Sequence, residues 1–253
     1  MLRPRTYQTE AVVIKKTKLG EADRILTFYT LDMGKIQGVA KGIRRPRSKL
    51  AGHLELLTYS QITLARGRSI DTVIGSQTVD SFLPVKSDLD LSAFALYAVE
   101  LVNQFTAEHI ENGQIFHLLV ETMRRLSEVP DKQLLLRHFE LHLLETSGYR
   151  PQLQECVVCR QPLKPVTNLF SSSAGGVLCP DCRRNQELVF PVSVDGLKAL
   201  RWLQNNDVEA ALRLRINAEL SRELEMTARN YIKFLLERDL KSVAWLDSLK
   251  SRF

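Results

Sequence analysis

The chain of 253 residues is 44% hydrophobic and 25% charged, a composition that can bury a sizeable core in one to three domains. It has no apolar run of about 18 residues, so the sequence predicts no membrane-spanning helix. The start MLRPRTYQTEAVV lacks the apolar region of a signal peptide, and the tail LKSRF carries no lipidation motif. We therefore expect a cytoplasmic protein whose thiols stay reduced.

The positive charge is concentrated in the first third of the chain. Of the 35 Lys and Arg residues, 14 lie in residues 1–80, together with 7 of the 29 Asp and Glu residues. This segment therefore has a balance of +7, whereas the whole chain has +6. Such asymmetry predicts an anionic partner for the amino-terminal domain.

Residues 1–80 have the pattern of short β-strands. Segments rich in Val, Ile, Thr and Tyr are separated by turn signals such as Asp32-Met33-Gly34. The predicted strands cover residues 8–16, 24–31, 34–42, 53–65 and 70–79. A small, basic, five-stranded barrel favours an OB-fold, which binds single-stranded nucleic acid along one open face.

The densest basic stretch is KGIRRPRSK, residues 41–49, and Gly42 and Pro46 place it on a loop. If the loops meet at one end of the barrel, other basic positions would join it. An ordinary solvated surface is the alternative for all of these residues. The candidate cations are Lys15, Lys16, Lys18, Lys41, Arg44, Arg45, Arg47, Lys49, Arg66 and Arg68.

Four aromatic side chains of this region are candidates for stacking on bases. They are Tyr7, Phe28, Tyr29 and Tyr59. Because side chains alternate along a strand, Phe28 and Tyr29 are predicted on opposite faces, one in the core and the other exposed.

From about residue 88 the apolar spacing becomes helical. We predict helices over 91–105, 115–126, 131–147, 193–205 and 217–238, and a short one around Trp245. Asp131 is placed to cap the third helix and Gly148 to end it. The predicted fold class is α+β with several domains: an OB-fold at 1–80, a helical domain at 81–150 and 190–253, and a cysteine module at 151–189 between its two parts.

All four cysteines lie in two pairs, Cys156-x-x-Cys159 and Cys179-x-x-Cys182, with 19 residues between the pairs. This spacing is typical of a closed tetrahedral zinc site, which is structural rather than catalytic. We therefore expect one structural Zn²⁺ per chain. Disulfides, a redox couple and an iron–sulfur cluster are the alternatives.

The residues around the cysteines fit such a site. Gly175 and Gly176 precede the second pair and allow the backbone to fold tightly. Four thiolates around Zn²⁺ leave a charge of about −2. Nearby bases would offset that charge or, alternatively, contact nucleic acid: Arg160, Lys164, Arg183 and Arg184.

Motifs of enzymes are weak in this sequence. GKIQGVAKG lacks the order of a P-loop, and there is no G-x-S-x-G elbow. His138 and His142 lie at i and i+4 on one helix, so a zinc hydrolase built on them is a further alternative, which predicts a second metal. We expect a protein that is not an enzyme.

Five segments carry a more specific pattern. GEADRILT (20–27), TxxxGK (30–35) and AKGIRRPRS (40–48) lie in the amino-terminal third of the chain, and LETSGYRPQLQECVVC (144–159) and SxxxGGVLCPDC (171–182) contain the cysteines. The first three segments resemble the amino-terminal domain of the RecO DNA repair family, and the last two resemble its cysteine region. Arg160 stands where many relatives have Gly, which affects the tight turn of the first pair but not a ligand.

This resemblance implies an OB-fold, a helical domain and a zinc element in a recombination mediator. Such proteins bind single- and double-stranded DNA, anneal complementary strands and, with RecR and in some lineages RecF, help to load RecA onto DNA coated with single-strand-binding protein. The resemblance adds Arg24 and Lys35 to the DNA-binding candidates. The alternative function is an RNA-binding or transcription-associated module without annealing activity.

Overall fold

The structure is a computed structural model that describes residues 5–183 and 188–250. It divides into two compact units, Met1–Ser127 with Ala244–Phe253 and Glu128–Val243. Among the described residues, no helix is long and apolar enough to cross a membrane.

The first unit contains a closed five-stranded barrel, as the sequence predicts. The order of strands around it is β1-β2-β3-β5-β4, in which the β3–β5 pair is parallel and the other pairs are antiparallel. The strands are β1 (Thr6–Leu19), β2 (Asp23–Thr30), β3 (Gly34–Ala40), β4 (Tyr59–Ala65) and β5 (Asp71–Asp80).

The barrel closes because β1 is long enough to pair with two neighbours. Its register with β2 shifts between Val13 and Lys15, and such a bulge bends a strand. Alternate side chains point inward, so that Val13, Leu26, Phe28 and Ile36 form a core in which each is at most 1% exposed.

Three helices follow the barrel in the first unit: α1 (Leu83–Ser87), α2 (Leu89–Phe105) and α3 (Gly113–Arg125). Asp88 caps α2 by accepting from the Leu91 N–H, and Asn112 caps α3. The two longer helices confirm the helical spacing of the sequence. The five-residue α1 was not predicted.

The helices correct one prediction about the barrel. Phe28 and Tyr29 are both 0% exposed, so the expectation that one of them is exposed is wrong. Phe28 points into the barrel, while Tyr29 points outward, where α3 packs on β2. The Tyr29 hydroxyl donates to the Asn112 carbonyl at 3.2 Å.

The second unit is helical around a buried central helix. Its helices are α4 (Lys132–Thr146), α5 (Val194–Asn205), α6 (Val208–Leu212) and α7 (Ala218–Leu236), and α8 (Lys241–Lys250) follows at the boundary of the units. Asp131 caps α4 by accepting from the Leu134 N–H at 2.9 Å, and Gly148 has a φ of +85° just beyond its end. Both end signals read from the sequence are thus confirmed.

A small sheet in the second unit was not predicted. It has the order β7-β6-β8 and consists of β6 (Asn168–Ser171), β7 (Gly176–Leu178) and β8 (Val189–Val192). Strands of three or four residues are too short to give a clear alternation. The sheet lies beside the cysteines and positions them.

Candidate metal centre and candidate nucleic-acid surface

The four cysteine sulfurs converge on one point. All four lie within 4.8 Å of one another, and the sulfurs of Cys159 and Cys179 are 3.9 Å apart. A tetrahedral Zn²⁺ with bonds of about 2.3 Å would place its sulfurs about 3.8 Å apart, whereas a disulfide requires about 2.05 Å. The geometry therefore fits a single tetrahedral metal ion.

The first pair of cysteines lies in a tight turn. The Arg160 N–H donates to the Cys156 carbonyl at 2.9 Å, and Arg160 has a φ of +61°. This left-handed conformation favours glycine, although the residue here is Arg. The Arg160 guanidinium lies 3.3 Å from Glu155 on the surface.

Backbone pairing joins this turn to the second pair. The Val157 N–H donates to the Val177 carbonyl at 2.9 Å, and the Val177 N–H donates to the Gln152 carbonyl at 2.8 Å. Gly176 permits this approach, because a Cβ there would lie 2.4 Å from the Gln152 oxygen. Gly175, with a φ of +69°, turns the chain into β7. The Gly-Gly step thus has the role that the sequence predicted.

The electrostatics of the cluster also suit a dication. Burial raises the pKa of the Cys156 thiol, but the N–H groups of Cys159, Cys179 and Val158 donate to its sulfur and lower the pKa to about 6. Hydrogen bonding to Cys179 raises the pKa of Cys182 to about 12. The sulfurs therefore resist ionising together unless a cation offsets their charge.

Three of the bases near the cysteines are exposed, namely Arg160, Lys164 and Arg183. Arg184 lies outside the described residues.

The histidine pair on α4 faces backbone carbonyls. His138 Nε2 lies 3.2 Å from the Asn206 carbonyl, and His142 Nε2 lies 3.1 Å from the Leu203 carbonyl. Both rings face carbonyls at the end of α5, a structural use of histidine.

The basic loop at 41–49 is held against the hairpin that joins β1 and β2. The Arg44 N–H donates to the Ala22 carbonyl at 3.0 Å, and its guanidinium donates to the Glu21 carbonyl at 2.8 Å. The Gly42 N–H donates to the Asp23 carboxylate at 2.7 Å. Buried Ile43 anchors the loop, while its other cations are exposed: Lys41, Arg45, Arg47 and Lys49.

The register of the strands shows which residues lie beside this loop on the outside of the barrel. Thr17, Ile25, Val39 and Thr72 are successive partners across β1, β2, β3 and β5. Lys15, Thr27 and Gln37 form the next row. Lys15 and Gln37 are exposed. Thr17 is exposed too, whereas Val39 and Thr27 in the middle of the two rows are buried.

Lys35 has a different position from the other predicted cations. Its ammonium donates to the carbonyls of Asn103 and Thr106, at 2.7 and 2.5 Å, at the end of α2. Burial lowers its pKa, an effect that Glu108 opposes. The Lys35 side chain therefore holds the end of α2 against β3.

Arg66 and Arg68 are exposed on the 66–70 loop. The Arg66 guanidinium lies over the Tyr7 ring, 4.6 Å from its centre, and the Tyr7 hydroxyl donates to Asp71 at 2.6 Å. The other predicted stacking residues are buried: Phe28 and Tyr29 are 0% exposed and Tyr59 is 7% exposed. These three therefore cannot stack on bases.

Comparisons with known proteins agree with this architecture. Residues 2–82 match the family model "Recombination protein O N terminal", and residues 86–244 match "Recombination protein O C terminal". The chain belongs to the RecO family. A DNA repair protein RecO from Dehalococcoides mccartyi is 49% identical over 249 residues, covering 98% of each chain.

Two further RecO proteins show that the similarity extends along the whole chain. The protein named DNA repair protein RecO from Roseiflexus sp. is 42% identical, covering 98% of this chain and 88% of its own. That from Symbiobacterium thermophilum is 35% identical, covering 97% and 98%. The barrel and the four cysteines of this RecO-family chain therefore both lie in segments that these relatives match.

Proposed function

We propose that this chain is a recombination mediator that binds single- and double-stranded DNA and anneals complementary strands. With RecR, and with RecF as a possible further partner, it would help to load RecA onto DNA coated with single-strand-binding protein. The observation that carries the proposal is the basic 41–49 loop, braced against the β1–β2 hairpin, in a chain whose relatives are named DNA repair proteins. Binding to DNA would also place the protein on the nucleoid.

The proposed DNA surface is the part of the outer face of β1, β2 and β3 that α2 and α3 leave uncovered, together with the loops that border it and with Lys16 and Arg24 on the inner face of the β1–β2 hairpin. OB-folds bind oligonucleotides on this face. Lys35 is omitted because its ammonium is bound to the end of α2. The proposed contacts are Lys15, Lys16, Arg24, Lys41, Arg44, Arg45, Arg47, Lys49, Arg66 and Arg68.

Annealing by such a surface requires no catalytic residue. Cations neutralise the repulsion between two phosphate backbones and leave the bases free to pair. Since the predicted stacking residues are mostly buried, binding should depend on phosphate contacts and hence on salt. If about five phosphates of a single strand are neutralised, log K should fall with log salt with a slope of about −3.5.

We further propose that the metal is Zn²⁺, one per chain, held by Cys156, Cys159, Cys179 and Cys182. Four thiolates complete a tetrahedral shell, so the ion would supply folding energy rather than a reaction centre. Its ligands lie on turns next to β7, and the ion would hold these turns together.

Strand annealing over a series of salt concentrations tests the proposed function. The variant Arg44→Ala, Arg45→Ala, Arg47→Ala should anneal more slowly, with a slope shallower by about 2. A matched control is Lys198→Ala, Arg213→Ala, Arg215→Ala, which removes three exposed cations from the second unit. Binding of both variants to the same oligonucleotide should be measured by fluorescence anisotropy.

The control should anneal like the wild type. Equal loss in both triple variants would contradict the placement of the site on the 41–49 loop. A folded, metal-loaded wild type that binds RNA but does not anneal DNA would instead favour the RNA-binding module.

A further inference from the structure

Three cations lie near the inner side of the β1–β2 hairpin. The register pairs Lys16 with Leu26 and Lys18 with Arg24. Since side chains alternate along strands, Lys16, Arg24 and the fully buried Leu26 share one face. Lys16 and Arg24 are diagonal neighbours on it, a relationship that brings side chains within about 8 Å.

Lys86 also lies near Lys16, although it belongs to α1, which follows the barrel in the sequence. The Val13 N–H donates to the Thr58 carbonyl at 3.0 Å, and the Leu57 N–H donates to the Val13 carbonyl at 2.9 Å. These bonds hold the 55–58 segment beside β1, just before Lys16. The Lys86 ammonium donates to Thr58 Oγ1 at 2.6 Å and lies 3.8 Å from Glu55.

The charges around this point are unbalanced. The carboxylate of Glu55, whose side chain is 60% exposed, acts on both Lys16 and Lys86. Asp80 also acts on Lys86, but Asp80 lies 3.5 Å from Arg124. Burial lowers the pKa of Lys16, and Arg24 and Lys86 add to this effect while Glu55 opposes it. Half-buried positive charges of this kind are stabilised by an added anion.

We infer that Lys16, Arg24 and Lys86 form a phosphate-binding site at the mouth of the barrel, with Glu55 as a competing carboxylate. This inference rests on the proposed function. It deepens that function by adding Lys86, which follows the barrel in the sequence, to the proposed DNA contacts. The ligand is a phosphate group, either a phosphodiester of the strand or a terminal phosphate. The Lys86 ammonium has three N–H donors, and Thr58 accepts one of them.

Substitutions with opposite expected signs test this site. Lys86→Met keeps the aliphatic chain and removes the charge, and Glu55→Gln removes the competing carboxylate. Binding of a single-stranded oligonucleotide should weaken about tenfold in Lys86→Met, with a salt slope shallower by about 0.7. Binding should tighten in Glu55→Gln. Thr58→Val is the structural control, because it removes the hydrogen bond but no charge.

The source of the phosphate is distinguished by oligonucleotides with a 5′-phosphate and with a 5′-hydroxyl. Equal losses in Lys86→Met identify a backbone phosphodiester, and a loss confined to the 5′-phosphate form identifies a terminal phosphate. Lys86→Arg should retain binding, and circular dichroism should verify that each variant is folded.

The inference is overturned if wild-type protein binds DNA while Lys86→Met and Glu55→Gln bind it equally well. It is also overturned if Thr58→Val reproduces the loss, because the effect would then come from the hydrogen bond. A wild type that binds no DNA would overturn the proposed function itself, so the two failures are distinguishable.

Discussion

The sulfur of Cys159 lies 3.9 Å from the sulfur of Cys179, although 19 residues separate them in the sequence. Pairing of Val157 with Val177 brings the two turns together without help from a metal ligand. The proposed Zn²⁺ would therefore bind sulfurs that are already close together, so that little further ordering is needed.

Metal removal should therefore destabilise the second unit. Structural zinc contributes on the order of 10 kcal/mol to small metal-dependent folds, so Cys179→Ser should lose the metal and lower the Tm of the second unit.

Elemental analysis should find one zinc per wild-type chain and one in His142→Ala. A second zinc that disappears in His142→Ala would contradict the structural role given to the histidine pair.

Replacing Arg160 with glycine should stabilise the protein. Its left-handed backbone costs a non-glycine residue about 1 kcal/mol, so Arg160→Gly should raise the free energy of unfolding by about 0.5 kcal/mol after the greater entropy loss of glycine. The exposed pair with Glu155 contributes little. Urea unfolding measures the change, with Arg160→Ala as the control that keeps the strain. A loss of stability in Arg160→Gly would argue against strain at this turn.

The cysteine site was predictable because its signal is local. Two close pairs at a fixed spacing, with Gly175 and Gly176 just before the second pair, predict both the converging thiols and the turns. The cap at Asp131 was readable for the same reason. Burial of Tyr29 was not, because it depends on α3 packing against the outside of the barrel. Lys35 and Lys86 have positions set by contacts with other elements, which no spacing in the sequence reveals.

Lys35 should affect stability more than binding to DNA. Lys35→Met removes the bonds to the Asn103 and Thr106 carbonyls, which should cost about 1–2 kcal/mol. The salt dependence of DNA binding should match the wild type, in contrast to Arg45→Ala. Thermal unfolding and anisotropy together check this prediction. A shallower salt dependence of DNA binding with unchanged stability would mean that Lys35 contacts DNA.

The buried pair on α4 is a second structural site. Arg137 lies 2.7 Å from Glu140, and their side chains are 3% and 0% exposed. Removing one partner leaves an uncompensated buried charge, so Glu140→Gln should destabilise the second unit by about 3 kcal/mol or more. The double variant Arg137→Met, Glu140→Leu should recover most of this loss. Equal loss in the double variant would mean that packing, rather than charge, dominates at this position.

High pH should destabilise the first unit through three phenols, of which Tyr7 has its pKa raised by burial and by its hydrogen bond to Asp71. Burial raises the pKa of Tyr29 to about 12, and burial together with a hydrogen bond to Glu10 raises the pKa of Tyr59 to about 12. An unfolded Tyr ionises near pH 10. Between about pH 10 and 12 the unfolded chain therefore loses protons that the folded chain retains, and stability falls as pH rises.

Thermal unfolding of the wild type and of Tyr29→Phe over this range checks the prediction. Tyr29→Phe loses the bond to Asn112 at every pH, about 1 kcal/mol, but its Tm should fall less steeply above pH 10. Absorbance near the phenolate band should show Tyr7, Tyr29, Tyr59 and, in the second unit, Tyr231 titrating late in the folded protein. Parallel Tm curves for the two proteins would contradict the raised pKa of Tyr29.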